Sequence, residues 1–132
     1  IGYYGISPLF KNVHLDEINP GVKMTDKEIS QKSATVMGTP LHPASGSVQI
    51  VQNGEKIYLR YENFKTINGP DLFVYLSKDK DAKDFINLGA LKATEGNINY
   101  EIPAHININD YSYALVWCRV FGVLFNSANL SR

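Results

Sequence analysis

Residues 47–61 read SVQIVQNGEKIYLRY, and this stretch decides the fold class. Val48 and Ile50 alternate with Ser47 and Gln49, and Ile57 and Leu59 alternate with Tyr58 and Arg60. That period of two belongs to strands with one buried face. Between the two runs stand Gln52-Asn53-Gly54-Glu55. Asn-Gly is the preferred pair of a two-residue type I′ hairpin, because both central residues need positive φ. A turn centred there pairs Ile50 with Ile57 and Val48 with Leu59, and on the other face Gln49 with Tyr58 and Ser47 with Arg60. The four aliphatic side chains then share one face. A slip of one residue would put each on the wrong side.

Working outward, Leu72, Val74 and Leu76 alternate with Phe73 and Tyr75, and Ile98, Tyr100 and Ile102 with Asn97, Asn99 and Glu101. Gly69-Pro70, Gly89, Gly96 and Pro103 separate these runs. Ala34–Met37 reads as a short strand ended by Gly38-Thr39-Pro40. Residues 111–125, YSYALVWCRVFGVLF, are apolar on both faces. They read as one central strand covered on both sides and bent at Gly122. Residues 1–24 form an irregular lead-in punctuated by Pro8, Pro20 and Gly21. Thr25-Asp26-Lys27-Glu28 has the spacing of a capping box, which predicts one or two helical turns over Thr25–Gln31. Short strands, little helix and many turn residues predict an all-β domain. The expected form is a β-sandwich with Greek-key or jelly-roll-like connections over residues 41–132. Residues 1–40 are a short irregular or helical extension packed on that domain or leading into it.

The chain has 132 residues, enough to bury a core without covalent staples. Formal net charge is zero, which excludes a broad electrostatic footprint for nucleic acid. No segment approaches the length of a membrane span. One cysteine rules out an internal disulfide.

That cysteine, Cys118, adjoins the only tryptophan, Trp117. In a regular strand Cys118 shares a face with Ala114, Val116 and Val120, while Trp117 and Arg119 point the other way. An apolar setting raises a thiol pKa and suppresses its reactivity. Cys118 is therefore either a small core residue or the reactive atom of the molecule. Covalent c-type haem attachment needs a second Cys. A blue-copper site would draw on His14, His42, His105, Met24 and Met37, but no His follows Cys118. His42 is either a base or ligand near the thiol or a loop residue at a strand start. Asn68-Gly69-Pro70-Asp71 has the chemistry of a turn. Asp79, Asp81 and Asp84 are interleaved with Lys78, Lys80 and Lys83 and lack the spacing of a calcium loop. Tyr58, Phe73, Tyr75, Tyr111 and Tyr113 would serve a sheet core or a sugar-stacking platform. Hydrolase elbow, phosphate loop and zinc spacing are absent.

Several pieces, taken in order, resemble one family. They are His42-Pro43-Ala44-Ser45-Gly46, then Tyr61-Glu62-Asn63-Phe64, then Asn68-Gly69-Pro70-Asp71-Leu72 with Val74-Tyr75-Leu76. Leu88-Gly89-Ala90-Leu91-Lys92, Gly96 to Pro103, and Trp117-Cys118-Arg119-Val120-Phe121 complete the set. The chain resembles the DM13 domain over about Leu41 to Leu130. The resemblance implies a β-rich module of exported proteins, whether periplasmic, cell-surface, lipoprotein or extracellular. It implies an electron-transfer role through Cys118, with a redox or cell-surface protein as partner. The thiol would act bare or hold a prosthetic group such as haem. Gly46, Asn68, Gly69, Pro70, Asp71 and Trp117 are the accompanying motif residues. A conventional turnover site is not expected. The alternative is a non-redox adhesion or interaction domain, carbohydrate-binding in one version, in which Cys118 is core.

Overall fold

The hairpin at residues 47–61 seeds the sheet. The computed structural model describes residues 12–23 and 33–131. Among the described residues ten strands run in chain order: β1 (His14–Asp16), β2 (Val22–Lys23), β3 (Ala34–Gly38), β4 (Ala44–Asn53), β5 (Lys56–Thr66), β6 (Leu72–Ser77), β7 (Phe85–Ala90), β8 (Glu95–Ile102), β9 (Tyr113–Cys118) and β10 (Val123–Asn129). A short 3₁₀ turn, Ile108–Asp110, lies between β8 and β9.

The β4–β5 turn falls one residue later than the Asn-Gly pair predicts. Gly54 alone has positive φ, at 63°, so the loop is Gly54-Glu55 with Gly at its first central position. This is the residue preference of a type II′ turn, and it leaves Asn53 in the strand opposite Lys56. The observed pairs are Ile50 with Leu59 and Val48 with Tyr61, and on the other face Gln49 with Arg60 and Val51 with Tyr58. Each expected partner has moved by two, so every side chain keeps its expected face.

Hydrogen bonding follows one path, β1-β8-β5-β4-β3-β10-β9-β6-β7, with β2 also paired to β4. The all-β class is as expected, and the sheet is mixed and curled into a half-barrel. β3 is the corner. Its residues Ala34 and Thr35 pair with β4, and Val36, Met37 and Gly38 pair with β10. The chain therefore makes two leaves, β1-β8-β5-β4 and β10-β9-β6-β7, that are parts of one continuous sheet. Their concave faces share the core, including Val48, Leu59, Ile98, Val74, Leu76, Val116 and Cys118, each 0% exposed. Burying an aliphatic side chain of this kind contributes about 1.5–3 kcal/mol.

Residues 111–125 are not one bent strand. They fold back as the β9–β10 hairpin through Arg119-Val120-Phe121-Gly122, with the Gly122 N–H donating to Cys118 O at 2.8 Å. Gly122 has φ 65°, so it reverses the chain rather than bending it. β7 was not expected, because Gly89 and the unpatterned residues around it read as a spacer. It forms because β6 offers an unpaired edge, from Phe73 against Ala90 to Ser77 against Phe85. The irregular lead-in contains β1 and β2, and the helical turns expected over Thr25–Gln31 lie outside the described residues.

Candidate functional site

β9 alternates as the sequence predicts: Ala114, Val116 and Cys118 face the core, and Trp117 lies on the convex side. Cys118 is the last residue of the strand, opposite Leu72 on β6 and Val123 on β10. Its side chain is fully buried and its thiol is free. Val120 was expected beside it in the core. It lies instead in the turn, 62% exposed, because the hairpin reverses before that position.

The Asn68-Gly69-Pro70-Asp71 segment crosses from β5 to β6 and closes on the same place. Asn68 Oδ1 accepts from the Gly69 N–H at 2.8 Å. A side chain on Gly69 would meet Phe125 Cζ at 2.9 Å, so the absence of one lets the Phe125 ring pack against the segment. Asp71 O accepts from the Arg119 N–H at 2.9 Å, and its carboxylate lies 3.4 Å from Arg119 Nε. The Arg119 guanidinium stands 4.1 Å from the centre of the Phe73 ring. Arg119 is thus turned away from the sulfur, as the strand reading requires, and held by Asp71 and Phe73.

His42 joins this end through its ring. Thr39 and His42 exchange backbone hydrogen bonds of 3.1 and 3.0 Å, and His42 Nδ1 lies 2.7 Å from Thr39 Oγ1. The imidazole stacks on Phe125 at 3.9 Å and 21°. Its partners are Thr39 and Phe125, and no hydrogen bond joins it to Cys118. Phe125 is bulged out of register between Leu124 and Asn126, which turns its ring into the core. Asn126 donates from Nδ2 to Thr66 Oγ1 at 3.1 Å and ties β10 to the end of β5. Its Oδ1 is buried without a partner. Gly46 supports the same corner. It has φ 118°, and a Cβ there would meet Asn63 O and Phe64 Cα at 2.8 Å. It marks the β4 bulge facing the β5 bulge at Asn63, itself at φ 51°.

Motifs up to 76 positions apart, from His42 to Cys118, therefore meet at one end of the molecule. The sequence named all of them except Phe125, which joins His42 to Gly69. Phe125 was legible as a core residue, but nothing in its spacing showed the bulge. The same end carries exposed apolar side chains: Leu41 at 81%, Ile67 at 43%, Val120 at 62% and Phe121 at 69%.

Trp117 lies in an aromatic row on the convex face. It stacks with Tyr75 at 6.4 Å, and Tyr75 stacks with Phe85 at 4.0 Å and 17°. Lys78 and Lys80 cover one face each of Tyr111 and Tyr113. Of the rings singled out in the sequence, Phe73, Tyr75, Tyr111 and Tyr113 each have a partner within the chain on at least one face. The Asp79 carboxylate is also engaged, accepting from the backbone N–H groups of Asp81, Lys83 and Asp84. Those bonds hold its pKa below the ordinary carboxylate value. Among the described residues no three His, Cys, Asp or Glu side chains are grouped to hold a metal ion. Met37 is exposed on the convex face, His14 lies on β1, His105 is exposed between β8 and β9, and Met24 lies outside the described residues.

A family model described as Electron transfer DM13 matches residues 37–130. The chain belongs to the DM13 family. No curated protein and no solved structure matches it. A haem on Cys118 does not fit this arrangement: the side chain is 0% exposed, belongs to the hydrophobic core and lies opposite Leu72 and Val123 on the two flanking strands. Among the described residues no helix is long and apolar enough to cross a membrane.

Proposed function

We propose that this chain is an exported electron-transfer module that works through the bare thiol of Cys118 and docks a redox protein at the end of the half-barrel where Cys118 lies. Family membership supports the electron-transfer role. The observation that carries the choice of place is that His42 and Gly69 both pack on Phe125, that Gly69 adjoins Leu72, the cross-strand partner of Cys118, and that Asp71 holds Arg119 next to it. The sulfur is shielded from solvent, so a partner would touch the Arg119–Phe121 turn and the Leu41 and Ile67 side chains, with the sulfur one layer behind. We read the two leaves as sandwich-like across their shared core, joined along one edge by β3.

One-electron oxidation of this thiol would release a proton and pass the electron to the docked partner's acceptor. Protein-film voltammetry on the full chain tests the reading. A reversible signal in the wild type that disappears in Cys118→Ala is the expected result. Identical, featureless traces from both proteins would remove the redox role. Complete burial of Cys118 favours a second reading, in which the same end is a non-redox interaction surface and the thiol is core packing. That reading predicts that Cys118→Ala leaves partner binding unchanged.

A further inference from the structure

The N-terminal arm is bound to the domain more as a ligand than as a layer of the core. β1 lies parallel on the outer edge of β8, with His14 opposite Glu95, Leu15 opposite Gly96 and Asp16 opposite Asn97. Val13 O accepts from the Thr94 and Glu95 N–H groups at 2.9 and 3.1 Å, and the Glu17 N–H donates to Asn97 O at 2.7 Å. Side chains then read the segment. The Glu17 carboxylate accepts from the Asn99 N–H at 2.8 Å and lies 3.3 Å from Lys92 Nζ. Asn97 Nδ2 donates to Asp16 Oδ1 at 2.9 Å, and Asn99 Nδ2 donates to Ile18 O at 2.9 Å. The buried Arg60 guanidinium donates to Glu17 O at 3.0 Å while Glu62 and Asn99 Oδ1 hold it in place.

Gly96 makes the edge accessible. A Cβ there would lie 1.9 Å from Leu15 O, so any side chain at this position would collide with the docked strand. The apolar contribution of the arm is small. Leu15 packs at the margin of the core, whereas Val13 is 45% and Ile18 87% exposed. The arm also lies outside residues 37–130, the part matched by the family model.

We propose that the β8 edge is a strand-docking site selective for the arm's Leu-Asp-Glu segment, and that residues 12–18 of a second copy of the chain exchange with the chain's own. An identical segment brings identical hydrogen bonds, so exchange changes no contact at the site and is governed by concentration. Strand addition with side-chain readout is a recurrent recognition mode. This inference is independent of Cys118 and stands or falls apart from the electron-transfer reading.

The test mixes two full-length variants. Leu15→Pro/Glu17→Ala cannot donate its arm but keeps the acceptor edge. Gly96→Ala keeps the arm but blocks its own edge. Each is expected to be monomeric alone, and the equimolar mixture is expected to form a one-to-one dimer by light scattering. A mixture that stays monomeric, with both variants retaining their β circular dichroism, overturns the proposal. Should Gly96→Ala fail to fold, a fluorescent peptide of residues 12–19 is titrated into Leu15→Pro/Glu17→Ala instead. Saturable binding about tenfold tighter than that of the same peptide carrying Glu17→Ala is expected, equivalent to about 1.4 kcal/mol. Equal or absent binding of the two peptides overturns the proposal. So does arm hydrogen exchange that remains as slow in the double variant as in the wild type, since the arm would then not depend on these contacts.

Discussion

Cys118 ends β9 at the point where strand becomes turn, and its environment is hydrocarbon. Replacing the thiol with a hydroxyl keeps the shape but adds a polar group without a partner. Cys118→Ser is expected to cost about 1–3 kcal/mol in urea unfolding. A change near zero would mean that the side chain reaches solvent. The burial and facing of this residue were legible, because alternation along Ala114, Val116 and Cys118 needs no tertiary information. The exposure of Val120 was not legible. An apolar residue in a turn looks like strand until Gly122 is known to reverse the chain. Gly46 makes a second point at this scale. Its φ of 118° and its contact with the Asn63 and Phe64 backbone leave no room for a Cβ. Gly46→Ala is therefore expected to destabilise by more than about 1 kcal/mol, read by the same unfolding assay.

Among elements, the β4–β5 hairpin shows why faces are easier to read than partners. Moving the turn by one residue shifts each cross-strand partner by two and leaves every face intact, so hydrophobic alternation cannot tell the two registers apart. The turn residues can. Gly54→Ala should cost about 1–2 kcal/mol, because Ala pays for the left-handed backbone although nothing lies within 4 Å to clash with it. Asn53→Ala should fall within about 0.5 kcal/mol of wild type. Equal losses at both positions would restore the Asn-Gly turn. The β1 arm was not legible, because polar groups far along the chain hold it. His14 lies 2.8 Å from Asp16 and 3.6 Å from Glu95, and hydrogen bonding to Asp16 raises its pKa. The same bond, with help from Asn97, lowers the pKa of Asp16. The raised His14 value gives support that is complete below its ordinary value of 6.5 and is lost as pH rises through the folded value. The lowered Asp16 value gives support that is present above 3.8 and is lost as pH falls through the folded value. Protection of the Thr94 and Glu95 amides, corrected for intrinsic exchange, should therefore peak between about pH 4 and 6.5. His14→Gln should flatten the upper side of that peak.

At the scale of the whole molecule, the ordered motifs disclosed the family, and strand patterning disclosed the β class. Neither disclosed that the motifs meet. Convergence depends on which strands cross between leaves, and the β5-to-β6 crossing places Gly69 under Phe125 only because β10 bulges there. The same geometry makes Phe125 a cover whose two sides are His42 and the Gly69 segment, in the same core cluster as Cys118. In the wild type, the electron-transfer reading predicts that iodoacetamide reaches Cys118 through local opening of this end, with an opening free energy smaller than that from urea unfolding; equal values would leave Cys118 as core. Phe125→Ala should cost about 3–5 kcal/mol by leaving a cavity. It should also speed alkylation by more than this loss predicts, because the end around Cys118 would open without the rest of the sheet. His42→Ala should move alkylation the same way by a smaller amount, since it removes one stacked face and leaves the Phe125 ring in place. If both variants label only as fast as their global stabilities dictate, the end is not a separable cover. A partner would then have no local route to the thiol, and Cys118 would be read as core.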